Sequence, residues 1–187
     1  MPVISITLLP GYGSATEQRL VQRVSRTARS VIAAPAAGTT VFVMHASTYQ
    51  RGENAVSAGG PAVPDASELV RAFLGLMQAR DLAGAARHLA PDFVMHFPGA
   101  APMQRLEQLL EWAKPRYRSV AKSYERFDEC WGEDGTVVYC FGSLHGVWLD
   151  GSAFQGIRFI DRFHIANGLI GRQDVWNDLA EARPTPP

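Results

Sequence analysis

The sequence predicts an α+β chain in two parts. Three observations predict it. The first 45 or so residues alternate strand, helix and strand periodicity. Gly52–Ala66, GENAVSAGGPAVPDA, then has no periodicity and is dense in Gly, Pro and Ala, as a linker is. After it come helical segments, followed by long β-branched and aromatic runs. Helices first and then an antiparallel meander is α+β architecture.

Each element has its own signal. Val3–Leu9 alternates apolar and polar residues, which is strand periodicity, and Pro10-Gly11-Tyr12-Gly13-Ser14 breaks it. Ser14 or Thr16 can cap the next helix, Glu17–Ala33. Its Leu20, Val21, Val24, Ala28, Val31 and Ile32 share one face. Arg19, Arg23, Arg26 and Arg29 fall elsewhere, on a solvated face or an oligomer contact. Thr40–His45 is a second strand, completing a βαβ unit with a right-handed crossover. Two strands and a helix bury little core, so this unit calls for partner copies and a homo-oligomer.

Beyond the linker, helices are predicted at Ser67–Ala79, Ala83–Leu89 and Met103–Trp112, with a short strand at Phe93–Phe97. Tyr124–Trp131, Thr136–Leu149, Ala153–Ala166 and Leu169–Trp176 read as strands. Asp150-Gly151 and Asn167-Gly168 between them are hairpin signals. The domain limits are therefore 1–58, a linker at 59–66, a second domain at 67–180 and a polar, Pro-rich, disordered tail at 181–187.

Composition narrows the function. The chain has 187 residues, 47% hydrophobic and 19% charged, with 18 basic and 18 acidic residues and no net charge. A chain that holds nucleic acid or an anionic membrane by its bulk field carries excess basic charge, so neither partner is expected. No apolar run approaches the ~20 residues that span a bilayer, and no leader pattern opens the chain, so a cytoplasmic location is expected. Two cysteines, Cys130 and Cys140, form no disulfide framework and fit no zinc spacing. They read as small core fillers, and neither a metal nor a cofactor is called for.

The sharpest single residue is Pro2. Removal of Met1 would leave a secondary amine whose unperturbed pKa lies far below that of lysine, and an apolar pocket would lower it further. Such an amine suits a general base near neutral pH. Met1-Pro2-Val3-Ile4, Gly11, the helix, Ala34-Pro35 and Val41-Phe42-Val43 together resemble the 4-oxalocrotonate tautomerase family over about the first third of the chain. The resemblance implies Pro2 as catalytic base on an enol or dienol, with sites shared between subunits. It also implies that Tyr12, Tyr49 and Arg51 contact substrate. The family's carboxylate-binding arginines are replaced here by Tyr12 and Thr40, whose side chains lack the bidentate fork.

The second domain resembles the nuclear transport factor 2-like superfamily in its SnoaL-like branch. The carrying segments are Leu89-Ala90-Pro91-Asp92-Phe93, His96-Phe97-Pro98-Gly99 and Asn167-Gly168-Leu169-Ile170 through Asp174-Val175-Trp176. The resemblance implies a cone-shaped α+β barrel, a curved antiparallel sheet around an apolar cavity, with His96 and Asp174 lining it. His145 shares the strand parity of Tyr139, Phe141 and Ser143, and joins the lining if that parity faces inward. Asp161 lies on the parity of Phe159 and Phe163, where a buried carboxylate needs a partner.

The function expected is a tautomerase or isomerase that uses Pro2 on a keto or enol substrate, fused to a small-molecule-binding SnoaL-like domain. The alternative is an apolar-ligand-binding protein without turnover, whose N-terminal unit serves oligomerisation. A hydratase or dehalogenase with Glu53 activating water ranks last.

Overall fold

A computed structural model describes residues 1–46, 50–51, 54–55 and 62–183. The chain divides into two units, Met1–Ala62 and Val63–Pro187.

In the first unit, β1 (Val3–Leu8) and β2 (Thr40–His45) pair in parallel, with Val3 opposite Thr40 and Leu8 opposite His45. Parallel neighbours need a crossover, and α1 (Ser14–Val31) supplies it. The helix starts three residues earlier than its periodicity suggests, because Gly13 rather than Ser14 or Thr16 takes the N-cap position. A one-turn 3-10 segment, Ala36–Gly38, leads into β2. No residue of α1 is buried, and Val3, Phe42 and Met44 on the two strands are exposed. Within this chain, the unit's described residues contain no closed core. A second pair, β3 (Gln50–Arg51) and β4 (Asn54–Ala55), is antiparallel.

The second unit holds the core. α2 (Ala66–Gln78) is capped by Asp65, whose carboxylate accepts from the Glu68 amide at 3.2 Å. Its Val70, Phe73 and Leu74 are buried. Arg80 ends it in the left-handed region (φ 63°), and Asp81 caps the short α3 (Leu82–Ala86) at once. β5 (Leu89–His96) and α4 (Leu106–Ala113) follow. Met103 is not the first residue of that helix: it bridges to Met95 of β5 in the loop before it. β6 (Tyr117–Gly132) starts seven residues before the stretch that reads as strand in sequence. β7 (Gly135–Trp148), β8 (Ala153–Ala166) and β9 (Leu169–Asn177) complete one five-stranded sheet in the order β5-β9-β8-β7-β6. The expected all-antiparallel sheet is corrected at one edge, where β5 pairs with β9 in parallel. Pro91 fits there, because an edge strand leaves one row of amides unpaired.

The sheet bends at identifiable places. β6 shifts register at Tyr117/Ser119 and Tyr124/Arg126. Across from these irregularities stand Gly146 and Gly142 of β7. A Cβ on Gly142 would lie 2.0 Å from the Ser123 carbonyl oxygen, and one on Gly146 would lie 2.1 Å from that of Ser119. Only glycine allows the two strands to close this far. Asn167 and Gly168 both take positive φ, as a two-residue hairpin requires.

Along β8, Ile157, Phe159, Asp161, Phe163 and Ile165 are buried, alternating with residues that are not. On β7 the buried row includes Val138, Cys140 and Leu144. These inner rows and α2 form one hydrophobic cluster.

Candidate functional site

Inside the second unit lies a cavity of about 150 Å3. Phe73, Leu74 and Met77 of α2, Leu109 and Trp112 of α4, and Leu144 and Phe159 of the sheet supply its apolar wall. Lys122 and Tyr124 of β6, Gln173 and Asn177 of β9, and Arg80 bring polarity to it.

The electrostatic centre is Lys122. Strand parity on β6 turns it inward beside Leu144, its cross-strand partner. Its ammonium pairs with the Asp161 carboxylate through Oδ2 and lies 4.5 Å from the centre of the Phe159 ring. Asp161 is fully buried, so its charge is tolerable only because a cation meets it. Gln173 Nε2 reaches the same oxygen at 3.4 Å, while Asp161 Oδ1 has no hydrogen-bond donor among the described residues. Tyr124 packs edge-on against Phe159 with ring centres 6.0 Å apart. Burial, the largest cause, pushes its hydroxyl pKa well above the ordinary tyrosine value, with the nearby Cys140 and Asp161 adding to it. The phenol therefore stays a neutral donor. Burial likewise raises the Cys140 thiol to about 12, so it is an inert filler rather than a nucleophile. Trp112 Nε1 is buried and has no acceptor among the described residues.

The site residues expected from sequence lie elsewhere. Asp174 is buried, but alternation on β9 separates it from the inward Gln173 and Val175. Instead it meets Arg162 at 3.1 Å and Arg172 at 2.9 Å. His96 Nδ1 is 3.1 Å from Asp174 Oδ1, off the angle a hydrogen bond needs. The register between β5 and β9 sets His96 directly opposite Asp174. Neither lines the cavity. His145 is exposed on the parity opposite Leu144 and contacts Ser123 Oγ at 3.4 Å, so its inward placement is corrected as well.

In the first unit, Pro2 immediately precedes β1, and its carbonyl accepts from the Thr40 amide at 3.1 Å. Tyr12 is half-buried between β1 and α1. Tyr49 and Glu53 lie outside the described residues, as does the side chain of Arg51. His45 Nε2 meets Glu17 Oε1 at 2.7 Å, tying the end of β2 to the first turn of α1.

Lys122 went unmarked in the sequence because β6 does not read as strand there. The signal that finds it is Asp161: a carboxylate in an otherwise aromatic inner row demands a cation from a neighbouring strand.

The family model for the SnoaL-like domain matches residues 70–173, more than half of the chain. The chain belongs to the SnoaL-like domain family. Solved structures agree on this fold. An NTF2-like protein of Burkholderia pseudomallei, of unknown function, is 18% identical over 62% of this chain and 92% of its own, with a TM-score of 0.54. TerC, crystallised with polyporic acid, is 16% identical over 62% of this chain and 92% of its own, with a TM-score of 0.53. A Xanthomonas campestris protein named provisionally as a polyketide cyclase is 18% identical over 62% of this chain and 91% of its own, with a TM-score of 0.50. No curated protein matches the chain. The SnoaL-like match starts at residue 70 and leaves the βαβ unit outside it. Among the described residues, no helix is long and apolar enough to cross a membrane.

Proposed function

We propose that the SnoaL-like domain takes up a small apolar carbonyl compound and promotes its enolisation, an isomerase- or cyclase-type step. The observation that carries this reading is the Lys122–Asp161 pair set in an apolar cavity wall. A cavity near 150 Å3 is large enough for a body about the size of benzene. Lys122 Nζ and the neutral Tyr124 hydroxyl both stand in its wall as donors. Aimed at one carbonyl oxygen, they favour the charge that develops there as a solvent water takes the proton from the neighbouring C–H bond and its electron pair moves to form the enolate, more strongly than in water alone. Asp161, sealed behind the wall, is a positioning residue that holds the ammonium in place. A solved relative named provisionally as a polyketide cyclase, and another crystallised with polyporic acid, support this class.

The test uses phenylacetone in deuterium oxide. Nuclear magnetic resonance should show deuterium entering beside the carbonyl faster with wild type than with Lys122→Met. Saturable binding without exchange would instead favour the carrier without turnover. No binding at all would overturn the cavity reading.

A second reading keeps Pro2 as a catalytic base in the first unit. It is supported by the parallel β1–β2 pair joined by α1, with Pro2 at the head of β1. Tyr12, Tyr49 and Arg51 would then orient the enol, in an assembly of several copies. Intact mass should show Met1 removed, and ketonisation of phenylenolpyruvate should fall in Pro2→Ala. Equal rates in the two proteins would sink this reading.

A further inference from the structure

We infer that the ligand of the SnoaL-like cavity carries a carboxylate at the end facing the cavity mouth, where Arg116, Arg183 and Arg80 receive it. This inference rests on the cavity reading above and names the chemical class of its ligand.

A second cavity, of about 320 Å3, adjoins the first. The two share Trp112, Tyr117, Asn177 and Leu179 as walls, so the same side chains bound both spaces. The inner space is mostly apolar. The outer one adds Arg116 and Arg183. Arg80 lines the inner space and acts electrostatically on Tyr117, a wall of both, as Arg116 does. Neither space is lined by a single Asp or Glu. Lys122 has Asp161, but among the described residues Arg80, Arg116 and Arg183 make no ion pair.

Two details show preparation for an anion. Arg116 is fixed: it donates to the Trp112 carbonyl at 2.6 Å and lies 4.0 Å over the Trp112 ring. A guanidinium held this way loses little further entropy when a carboxylate engages its fork. Arg80 occupies a left-handed position (φ 63°) that glycine takes more cheaply. The chain carries a long cation at a backbone position that disfavours it, and that cation lines the cavity. The orphaned Trp112 Nε1 adds one more donor without an acceptor. Three arginines have no acidic partner among the described residues, Arg80 and Arg183 exposed and Arg116 half-buried. With one buried N–H that lacks an acceptor, they stand around two adjoining spaces free of acidic side chains, so their combined field favours an anion there. The ligand class that supplies it is an apolar ring with a carboxylate on a short arm: ring in the inner cavity, carboxylate at the mouth.

The experiment compares 3-phenylpropanoate with the neutral 3-phenylpropanamide on the full chain, by calorimetry and by tryptophan fluorescence. The acid should bind the wild type about tenfold or more tightly than the amide, as a charge-assisted contact predicts. High salt should shrink that ratio. The ratio should fall toward one in Arg116→Gln and in Arg80→Gly. The glycine variant suits its backbone position, so it keeps the test decisive if Arg116→Gln folds poorly. A ratio near one in wild type overturns the carboxylate inference while leaving the cavity reading standing. A full ratio surviving in both variants and in Arg183→Gln overturns it too. Binding of neither compound sinks both.

Discussion

Removing the ammonium of Lys122 should cost far more than removing that of Lys114, whose pair with Glu111 is exposed. Asp161 is 0% exposed, and its other polar contact is Gln173 Nε2 at a long 3.4 Å. Lys122→Met keeps the stem volume and leaves a carboxylate stranded among Phe159, Phe163 and Cys140. Breaking a buried pair from one side costs roughly 3–5 kcal/mol, against a total stability of about 5–15 kcal/mol for a domain. Asp161→Leu leaves a Lys122 side chain that is 22% exposed and opens toward the cavity, so its cost should be smaller, about 1–3 kcal/mol. The double variant Lys122→Met/Asp161→Leu removes both charges and should recover most of the loss, giving a coupling of about 2 kcal/mol or more. Urea unfolding followed by tryptophan fluorescence measures this cleanly. Trp112, Trp131, Trp148 and Trp176 all lie in the second unit, so the signal reports that unit alone. Single variants each costing under ~1 kcal/mol, and adding without coupling, would refute the claim that this pair is a buried, mutually dependent charge centre.

Other outcomes follow from the same geometry. Arg80→Gly should raise stability by up to ~1 kcal/mol in the urea assay while weakening the acid ligand, because glycine relieves the left-handed backbone. Gly142→Ala should destabilise the second unit by several kcal/mol or prevent folding, since its Cβ meets the Ser123 carbonyl, and a thermal melt would show it. The Cys140 thiol, raised from 9.0 to about 12 by burial, gives stability that is complete below pH 9 and is lost as pH rises toward 12. Urea midpoints should fall across that window and fall less in Cys140→Ala, while a thiol reagent at neutral pH should label the exposed Cys130 before Cys140. Asp174→Asn should cost about 1–3 kcal/mol through its arginine contacts yet leave the affinity for the amide probe unchanged, which a titration checks.

Strand and turn chemistry made much of the second unit readable. Ala153–Ala166 is found at its sequence-predicted limits, and Asn167-Gly168 forms the hairpin its residue types demand. The candidate site was legible only through Asp161, an acid in a buried aromatic row. Lys122 was hidden because the early part of β6, with Arg118, Ser119 and Lys122, lacks simple alternation, and its bulges break the pattern further. His145 and Asp174 show a different limit. Alternation tells which residues share a face, but which face is concave depends on how the sheet bends, and that bend comes from tertiary contacts between β6 and β7. From sequence, His96 and Asp174 are expected to line the cavity; neither their facing register on β5 and β9 nor their position outside the cavity wall can be read there.

Gly142 and Gly146 carry a consequence for ligand choice. Neither glycine lines the cavity; they set how closely β6 and β7 approach, and so the curve of the sheet that brings Lys122, Tyr124 and Leu144 to its wall. Trimming the wall side chains changes the room for a guest without touching that curve. New specificities in this scaffold should therefore arise from helix α4 and the mouth arginines, which can be exchanged one at a time while the folded sheet stays intact.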